Sequence, residues 1–396
     1  MKIKQANTKG SCTRCILDST VPEIYFDEYG ICNYCKIHDE LEISHPGGAM
    51  GESIINNIFN KIKRKGKNKK YDCIVGLSGG TDSTYTLYLV KKYGLRPLVV
   101  HFDNSWNSDI AVMNIKNATS KLNVDLYTHV ADWEEFKDLQ LSFLKASVPD
   151  AEIPTDYVII SVLLKTAAKE KVKYIIEGHS FRAEGTTPIG WSYMDGKYLK
   201  NIQKEFGKLK PKSFPILTIP TLIYYFIIRR IKFIRPLENM DYSKEETKKL
   251  LKKELGWIDY GGHHHESLFT KFFQSYYLPK KFKIDKRKRE LSAKIRSGLI
   301  SRSEALKEIL THYPFDQKDV NYTIRKLGLT EEEFYNIMSQ KPKSFIDYKS
   351  YFSVIIKFRL LIKIACRLKI LPQIFYYKYG IDLSKKIKNY WINFSN

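Results

Sequence analysis

Two groups of residues in this sequence have the types and spacing to do chemistry. The first is a pair of CxxC knuckles, Cys12-Thr13-Arg14-Cys15 and Cys32-Asn33-Tyr34-Cys35, separated by sixteen residues. Each knuckle sets two sulfurs on one side of a tight turn, and four thiolates suit tetrahedral ligation of Zn2+. Between them, Ile24-Tyr25-Phe26 reads as a strand and Asp27-Glu28-Tyr29-Gly30 as its turn. A hairpin there brings the knuckles together as a ribbon, and such a metal stabilises a small module. The second group is Ser78-Gly79-Gly80-Thr81-Asp82-Ser83, between a predicted strand and a predicted helix. Paired glycines let the backbone turn sharply and aim amide N–H groups at phosphate oxygens. The helix N-terminus adds positive potential, and Ser78 and Ser83 add hydroxyls. Asp82 has reason to sit beside a phosphate only with a divalent cation between them, which makes Mg2+ an expected companion. The GxxxxGK[ST] spacing of a Walker A loop is absent.

These groups need elements to hold them. Residues 72–77 read as a buried strand, followed by a helix from about Asp82 that ends near Gly94. Residues 97–102 and 124–129 read as further strands. Asp132 with Glu135 looks like a capping box, 155–170 as a helix, and 172–177 as another strand. Short apolar strands alternating with helices predict an α/β fold with a parallel, doubly wound sheet. Ligands bind such sheets at the carboxyl ends of the strands. Residues 181–212, rich in Gly, Pro and aromatics, read as a substrate loop region. Capping boxes at Ser243/Glu246, Ser301/Glu304 and Thr330/Glu333 predict a mostly helical C-terminal region. The expected organisation is a zinc ribbon over 1–45, a helix and basic linker over 46–70, a nucleotide domain over 71–260, and the helical region over 261–396.

Composition narrows the classes. The chain has 396 residues and a net charge of +23, which favours anionic ligands. The only dense basic block is 61–70, read as a linker. Residues 1–5 hold no apolar run, so no leader is expected, and few cysteines point to a reducing cytoplasm. Residues 214–228 are strongly apolar but interrupted by Pro215 and Pro220, and read as a buried or surface-dipping element, not a membrane span. Residues 351–371 mix apolar side chains with regularly placed Lys and Arg. Packing on the domain is the expectation there, and lying on a membrane surface the alternative.

The loop at 78–83 resembles the PP-loop of N-type ATP pyrophosphatases, the group that includes asparagine, NAD, GMP and argininosuccinate synthetases and several tRNA-modifying enzymes. The resemblance implies an adenine nucleotide alpha hydrolase-like sheet. It also implies cleavage of ATP between the α- and β-phosphates, adenylation of a carbonyl oxygen, and displacement of AMP by a nitrogen or sulfur nucleophile. ATP would then meet Ser78, Gly79, Gly80, Thr81, Asp82 and Ser83. His101-Phe102-Asp103-Asn104 and Glu177-Gly178-His179, each ending a strand, would close the adenosine site. Thiolating members carry sulfur on cysteines. Outside the ribbon this chain has only Cys73 and Cys366, so ammonia or an amine is the expected nucleophile.

Further segments agree in order with a narrower family. They are Tyr260-Gly261-Gly262-His263-His264-His265-Glu266-Ser267, Phe269-Thr270-Lys271-Phe272-Phe273-Gln274, Leu278-Pro279-Lys280-Lys281-Phe282 and Asp285-Lys286-Arg287. With the knuckles and the loop, they resemble the N-acetyl sugar amidotransferases of surface-polysaccharide biosynthesis over roughly residues 8–340. The resemblance implies conversion of an acetamido group on a nucleotide sugar to an acetamidino group. Ammonia would arrive from partners similar to the glutaminase and cyclase subunits of histidine biosynthesis. Candidates for the chemistry are Asp82, Lys271, His264 and Glu266, and for the diphosphate Lys280, Lys286 and Arg287. The family commonly has Lys where this chain has His263, and it tends to end before residues 341–396. No nucleic acid is expected as a partner. A tRNA-modifying PP-loop enzyme with a zinc ribbon is the competing reading.

Overall fold

The run Asp72-Cys73-Ile74-Val75-Gly76-Leu77 is apolar on both sides of its pleat, so a strand there must be covered on both faces. The computed structural model describes residues 10–262, 265–311, 313, 315–368, 371 and 375–394. In it the run forms β1 (Cys73–Gly76), the centre of a five-stranded sheet. The other strands are β2 (Pro97–Asp103), β3 (Asp125–Val130), β4 (Tyr174–Ile176) and β5 (Lys232–Ile234). Their order is β3-β2-β1-β4-β5, and every neighbouring pair is parallel. Val75 lies opposite Val99 and Ile176, and Ile74 opposite Leu98 and Ile175.

The period-two pattern divides the core. Cys73, Val75, Val99 and Ile176 pack with Ile55, Phe59, Ile62, Leu87 and Val90 on one face. Ile74, Leu98 and Ile175 pack with Val162 and Leu163 on the other. The second cluster is continuous with the four ribbon cysteines and with Phe272, Val320, Phe334, Phe345 and Trp391. Ribbon, sheet and C-terminal helices therefore share one interior.

Local signals placed most elements. Asp132 accepts the Glu135 amide at 3.1 Å and starts the helix Trp133–Lys145. The Glu135 carboxylate does not reach back to complete the box but accepts the amides of Lys212 and Ser213. Gly256, at φ 64°, ends the helix Lys244–Leu255, and both capping boxes at Ser301 and Thr330 form. One expectation changes. Most of the basic block at 61–70 is not a linker, because the helix Gly48–Gly66 runs through it and buries Ile55, Phe59 and Ile62 on the sheet.

The two apolar stretches meet their expectations in part. Residues 219–228 form the helix Ile219–Ile223 and a wider turn Tyr224–Ile228, and neither buries a residue. In the short helices Phe352–Lys357 and Arg359–Arg367 only Phe352, Ile356 and Cys366 are buried, so packing accounts for part of that stretch.

Candidate active site

The strand order reverses between β1 and β4, which opens a crevice at their carboxyl ends. The glycine loop leaves β1 there and enters the helix Thr81–Lys92, whose N-cap is Gly80. Gly79 sits at φ 83°, and a Cβ on it would lie 2.5 Å from the Ala111 carbonyl oxygen, so no other residue fits without moving backbone. Its own carbonyl is drawn back by Trp257 Nε1 at 3.0 Å and Asn114 Nδ2 at 3.3 Å. Gly80 offers no side chain to cap the helix. Thr81 donates its amide to the Tyr260 hydroxyl at 3.3 Å. The Ser78 and Ser83 hydroxyls lie 3.1 Å apart, and Ser78 is exposed at the mouth. Two hydroxyls at a helix N-terminus whose cap residue has no side chain are the kind of donors an anion needs.

Gly178, after β4, closes the crevice from the other side. A Cβ there would come within 2.4 Å of the Asp82 carbonyl oxygen and 2.6 Å of the Ser83 nitrogen. Backbone from two strand ends thus meets without room for a methyl group. Glu177 accepts from Arg235 Nε at 3.1 Å. On the far side His101 is buried and joins the ends of β1 and β2. Its Nδ1 lies 2.8 Å from the Leu77 carbonyl and its Nε2 3.0 Å from the Asn107 amide nitrogen. This pairing assigns the hydrogen to Nδ1. Burial lowers the His101 pKa, in keeping with a neutral ring. Phe102 stacks on His129 at 6.0 Å, Asp103 accepts the Ser105 amide at 2.8 Å, and Asn104 approaches Thr155 Oγ1 at 3.4 Å.

Asp82 lies in the first helical turn, where the dipole favours a carboxylate. It is buried, accepts from the Tyr242 hydroxyl, and has Lys244 Nζ 3.4 Å away. Burial opposes the Lys244 charge, but Asp82 and Glu184 outweigh it and hold the ammonium above its usual range. Glu184 lies 2.7 Å from His179 Nδ1 and raises that imidazole's pKa against desolvation. An ammonium therefore already meets the Asp82 charge. Among the described residues, the four cysteines are the only group of three or more ligand side chains that could hold a metal ion. Mg2+ at the loop would have to be held mainly by the nucleotide's own phosphates, with Asp82 as the nearest carboxylate of the loop.

A distant segment completes the site. Asn107 and Ser267 form an antiparallel bridge, flanked by Ser108 N to Glu266 O at 2.9 Å and Leu268 N to Trp106 O at 2.8 Å. This short pairing carries Glu266 to the loop, where its Oε1 lies 3.4 Å from Ser78 Oγ. Glu266 is buried, and after burial itself its charge is the largest influence raising the neighbouring Tyr260. His263 and His264 lie outside the described residues.

The ribbon cysteines gather as the spacing predicts. Cys12–Cys35 and Cys15–Cys32 sulfurs are 3.8 Å apart, Cys32–Cys35 3.6 Å, and all four lie within 4.8 Å of one another. A thiolate tetrahedron around a metal at roughly 2.3 Å has edges of about 3.8 Å, so this set fits one ion. A polynuclear cluster would hold its sulfurs farther apart. Cys12 Sγ also accepts the Cys15 and Cys32 amides, and contacts with the other three cysteines lower its pKa.

Residues 266–362 match the family model for the LPS biosynthesis protein WbpG-like, C-terminal domain. The WbpG-like segment thus begins at the carboxylate that reaches the glycine loop. The chain is also 27% identical to an uncharacterized protein of Methanocaldococcus jannaschii, MJ1599, over 287 residues, covering 69% of this chain and 84% of that one. Among solved structures it is similar to the U34-tRNA thiolase NcsA of Methanococcus maripaludis with its [4Fe-4S] cluster. That similarity has 14% identity and a TM-score of 0.30, and covers 82% of this chain and 99% of that one. The NH3-dependent NAD synthetase of Campylobacter jejuni is similar at 14% identity and a TM-score of 0.32, covering 64% and 96%.

The WbpG-like segment does not gather its predicted cations at the loop. Lys271 pairs with Asp319 at 2.6 Å. Lys280 is exposed and lies 5.4 Å from the centre of the Phe315 ring. Arg287 grips Asp285 at 2.7 Å and the Thr311 carbonyl at 2.8 Å, closing the end of the helix Arg302–Leu310. Lys281 is buried against the carbonyls of Ile337 and Met338, and burial pushes its pKa down to about 8. Lys286 Nζ lies 5.3 Å from the centre of the Phe273 ring, and burial, followed by the charge of Arg289, lowers its pKa against the pull of Asp156 and Glu152. Glu152 accepts from Thr270 at 3.0 Å, and burial followed by Asp156 lifts its carboxyl to about 8. The segment also seats the ribbon: Arg302 Nε donates to the Cys15 carbonyl at 3.2 Å, and Lys288 pairs with Asp18 at 2.7 Å.

Sequence reading missed Asn114, Tyr242, Lys244 and Trp257, none of which belongs to a spacing pattern, and named Tyr260 only as the start of a family segment, without a role at the loop. Trp257 alone had a faint signal, as a bulky residue directly after the helix-ending Gly256.

Proposed function

We propose that the chain is an ATP-dependent amidotransferase that acts on a nucleotide-linked N-acetyl sugar. The observation that supports this reading is the loop of Ser78 to Ser83, a helix N-terminus with no side-chain cap in the crevice between β1 and β4. The WbpG-like match and the family resemblance support the sugar substrate.

In this reading the acetamido oxygen attacks the α-phosphorus of ATP, and the bond to pyrophosphate breaks. Loop amides and the Ser78 and Ser83 hydroxyls hold the departing pyrophosphate, where charge grows. Ammonia then attacks the acetamido carbon, the C–O bond breaks, AMP leaves with the oxygen, and nitrogen gives up a proton. Glu266, a buried carboxylate 3.4 Å from Ser78 Oγ, is the residue assigned to that proton, with His264 two positions before it in sequence. Mg2+, carried with the nucleotide, supplies charge neutralisation at the phosphates. Of the basic side chains expected at the sugar diphosphate, Lys286, near Asp156 and Glu152, is the one kept for that role; Lys271 is held by Asp319, Arg287 by Asp285 and Thr311, and the exposed Lys280 lies beside the Phe315 ring. The ribbon binds Zn2+ and serves the fold. Ammonia comes from a separate glutaminase-type subunit.

Sulfur transfer is disfavoured. Four cysteines form the ribbon, and Cys73 and Cys366 are buried. Burial also raises the Cys73 thiol pKa, which keeps it protonated and unreactive. The net charge of +23 favours the second reading, a tRNA-modifying enzyme.

The test is incubation with ATP, Mg2+, ammonium and a UDP-linked diacetamido sugar, read by mass spectrometry. The expected product is lighter by the difference between oxygen and NH, with AMP and pyrophosphate released in step. Release of ADP, or salt-sensitive tight tRNA binding with no sugar product, overturns the reading. Metal analysis should find one zinc per chain, lost in Cys12→Ser. Iron in its place would replace the zinc assignment.

A further inference from the structure

Two apolar elements on the surface have no part in the reaction proposed above. In the helices Phe352–Lys357 and Arg359–Arg367, the side chains of Val354, Phe358, Leu360, Leu361, Ile364 and Leu368 face outward. Leu360, Leu361 and Leu368 are each at least 60% exposed. Leu360, Leu361, Ile364 and Leu368 fall on one side of a helical turn pattern, with Arg359, Lys363 and Arg367 beside them. The second element is 219–228, where Ile227 and Ile228 are 67% and 66% exposed and Arg229 and Arg230 follow directly.

The two elements spring from one place. The Tyr157 hydroxyl donates to the Leu217 carbonyl at 2.7 Å, and a Cβ on Gly196 would lie 2.3 Å from that same oxygen. The adjacent Asp195 accepts the Tyr351 amide at 2.7 Å. One element begins two residues beyond Leu217 and the other one residue beyond Tyr351.

Charge decides what covers them. Residues 214–234 and 351–368 contain no Asp or Glu, while Lys and Arg punctuate both. A second copy laid on these faces would set cation against cation. An anionic bilayer meets both features at once, with apolar side chains entering the acyl boundary and Lys and Arg at headgroup phosphates. No described helix is long and apolar enough to cross a membrane, so the contact is interfacial. We infer that residues 219–230 and 354–368 seat this protein on the surface of a membrane containing anionic lipid.

The test is co-sedimentation of the full chain with vesicles of phosphatidylcholine alone and of phosphatidylcholine mixed equally with phosphatidylglycerol. The protein should bind the mixed vesicles, bind the neutral ones far less, and lose binding as salt rises. Leu361→Glu combined with Ile228→Glu should lower the bound fraction about tenfold or more, because both side chains leave the acyl boundary. Circular dichroism checks that this variant is folded. Lys363→Gln with Arg367→Gln tests the cations separately and should weaken binding to the mixed vesicles alone. Failure of the parent protein to prefer mixed vesicles overturns the inference, as does unchanged binding by both variants. Sedimentation equilibrium showing a dimer that Leu361→Glu converts to a monomer would also overturn it, since a second copy would then cover the face.

Discussion

The glycine loop and the basic run at 271–287 both read as anion sites in the sequence, yet the fold treats them in opposite ways. At the loop the donors are backbone amides and two serine hydroxyls at the mouth. Gly79 and Gly178 shape it with backbone approaches too close for any side chain. In the basic run the donors are long side chains, and most of them turn back onto the chain. Lys271 takes Asp319, Lys281 takes two carbonyls, and Arg287 takes Asp285 and Thr311. A glycine pattern reports geometry, which later folding does not cancel. A cation pattern reports only charge, and the folded chain can satisfy that charge itself.

The largest effect that would break this contrast is at Gly178. Gly178→Ala must displace the first turn of the helix Thr81–Lys92, and pyrophosphate release should fall by about a hundredfold or more. Near-normal release would mean that the crevice is not where ATP reacts. Next comes Glu266→Gln, which keeps the shape beside Ser78 but removes a charge. An assay of kcat should show a loss on the order of tenfold to a hundredfold with little change in Tm.

Within the basic run, Lys281 supplies a pH signature. Its pKa falls from 10.5 unfolded to about 8 folded, so between those values the unfolded chain binds more protons. Stability should therefore rise by about 3 kcal/mol as pH climbs through that window. Its burial cost is fully present below the lower value. Denaturant titrations of Lys281→Met should lack that rise, and an identical pH profile would show that the ammonium is not held as described. The smallest expected effects belong to the outer cations. Arg287→Ala should lower stability by roughly 1–2 kcal/mol through its lost grip on Asp285 and Thr311, with KM for the sugar nucleotide nearly unchanged. Lys280→Ala should move stability by less than about 0.5 kcal/mol. A tenfold rise in KM for either variant would return these residues to the substrate site.

How much could be read in advance follows the range of the interactions. The capping residues Asp132, Ser301 and Thr330 act over three positions, so their helices were legible. The cysteine knuckles and the glycine loop were legible because each encodes its own turn. The pairing of Asp82 with Tyr242 and Lys244 was not, since it spans 160 and 162 residues and either partner alone looks ordinary. The placement of Glu266 depends on a bridge between 107 and 267 that no local pattern announces. The helix Gly48–Gly66 was legible in its apolar spacing as far as Ile62, and only its last turn was read as linker, because Lys63, Arg64, Lys65 and Gly66 carry no apolar anchor.

The seating of the ribbon has a consequence for how the chain is made. Ile16 donates its amide to Ser292, 276 positions later, and Lys386 reaches the Ile24 carbonyl across 362. During synthesis the amino-terminal module emerges first and must wait, its docking face wet, until nearly three quarters of the chain has left the ribosome. Early metal capture would fold that module locally while the slow, long-range closure is pending. A ribosome-bound chain cut short before residue 288 should therefore hold zinc yet leave the ribbon open to protease, until the carboxyl-terminal helices arrive to cover it.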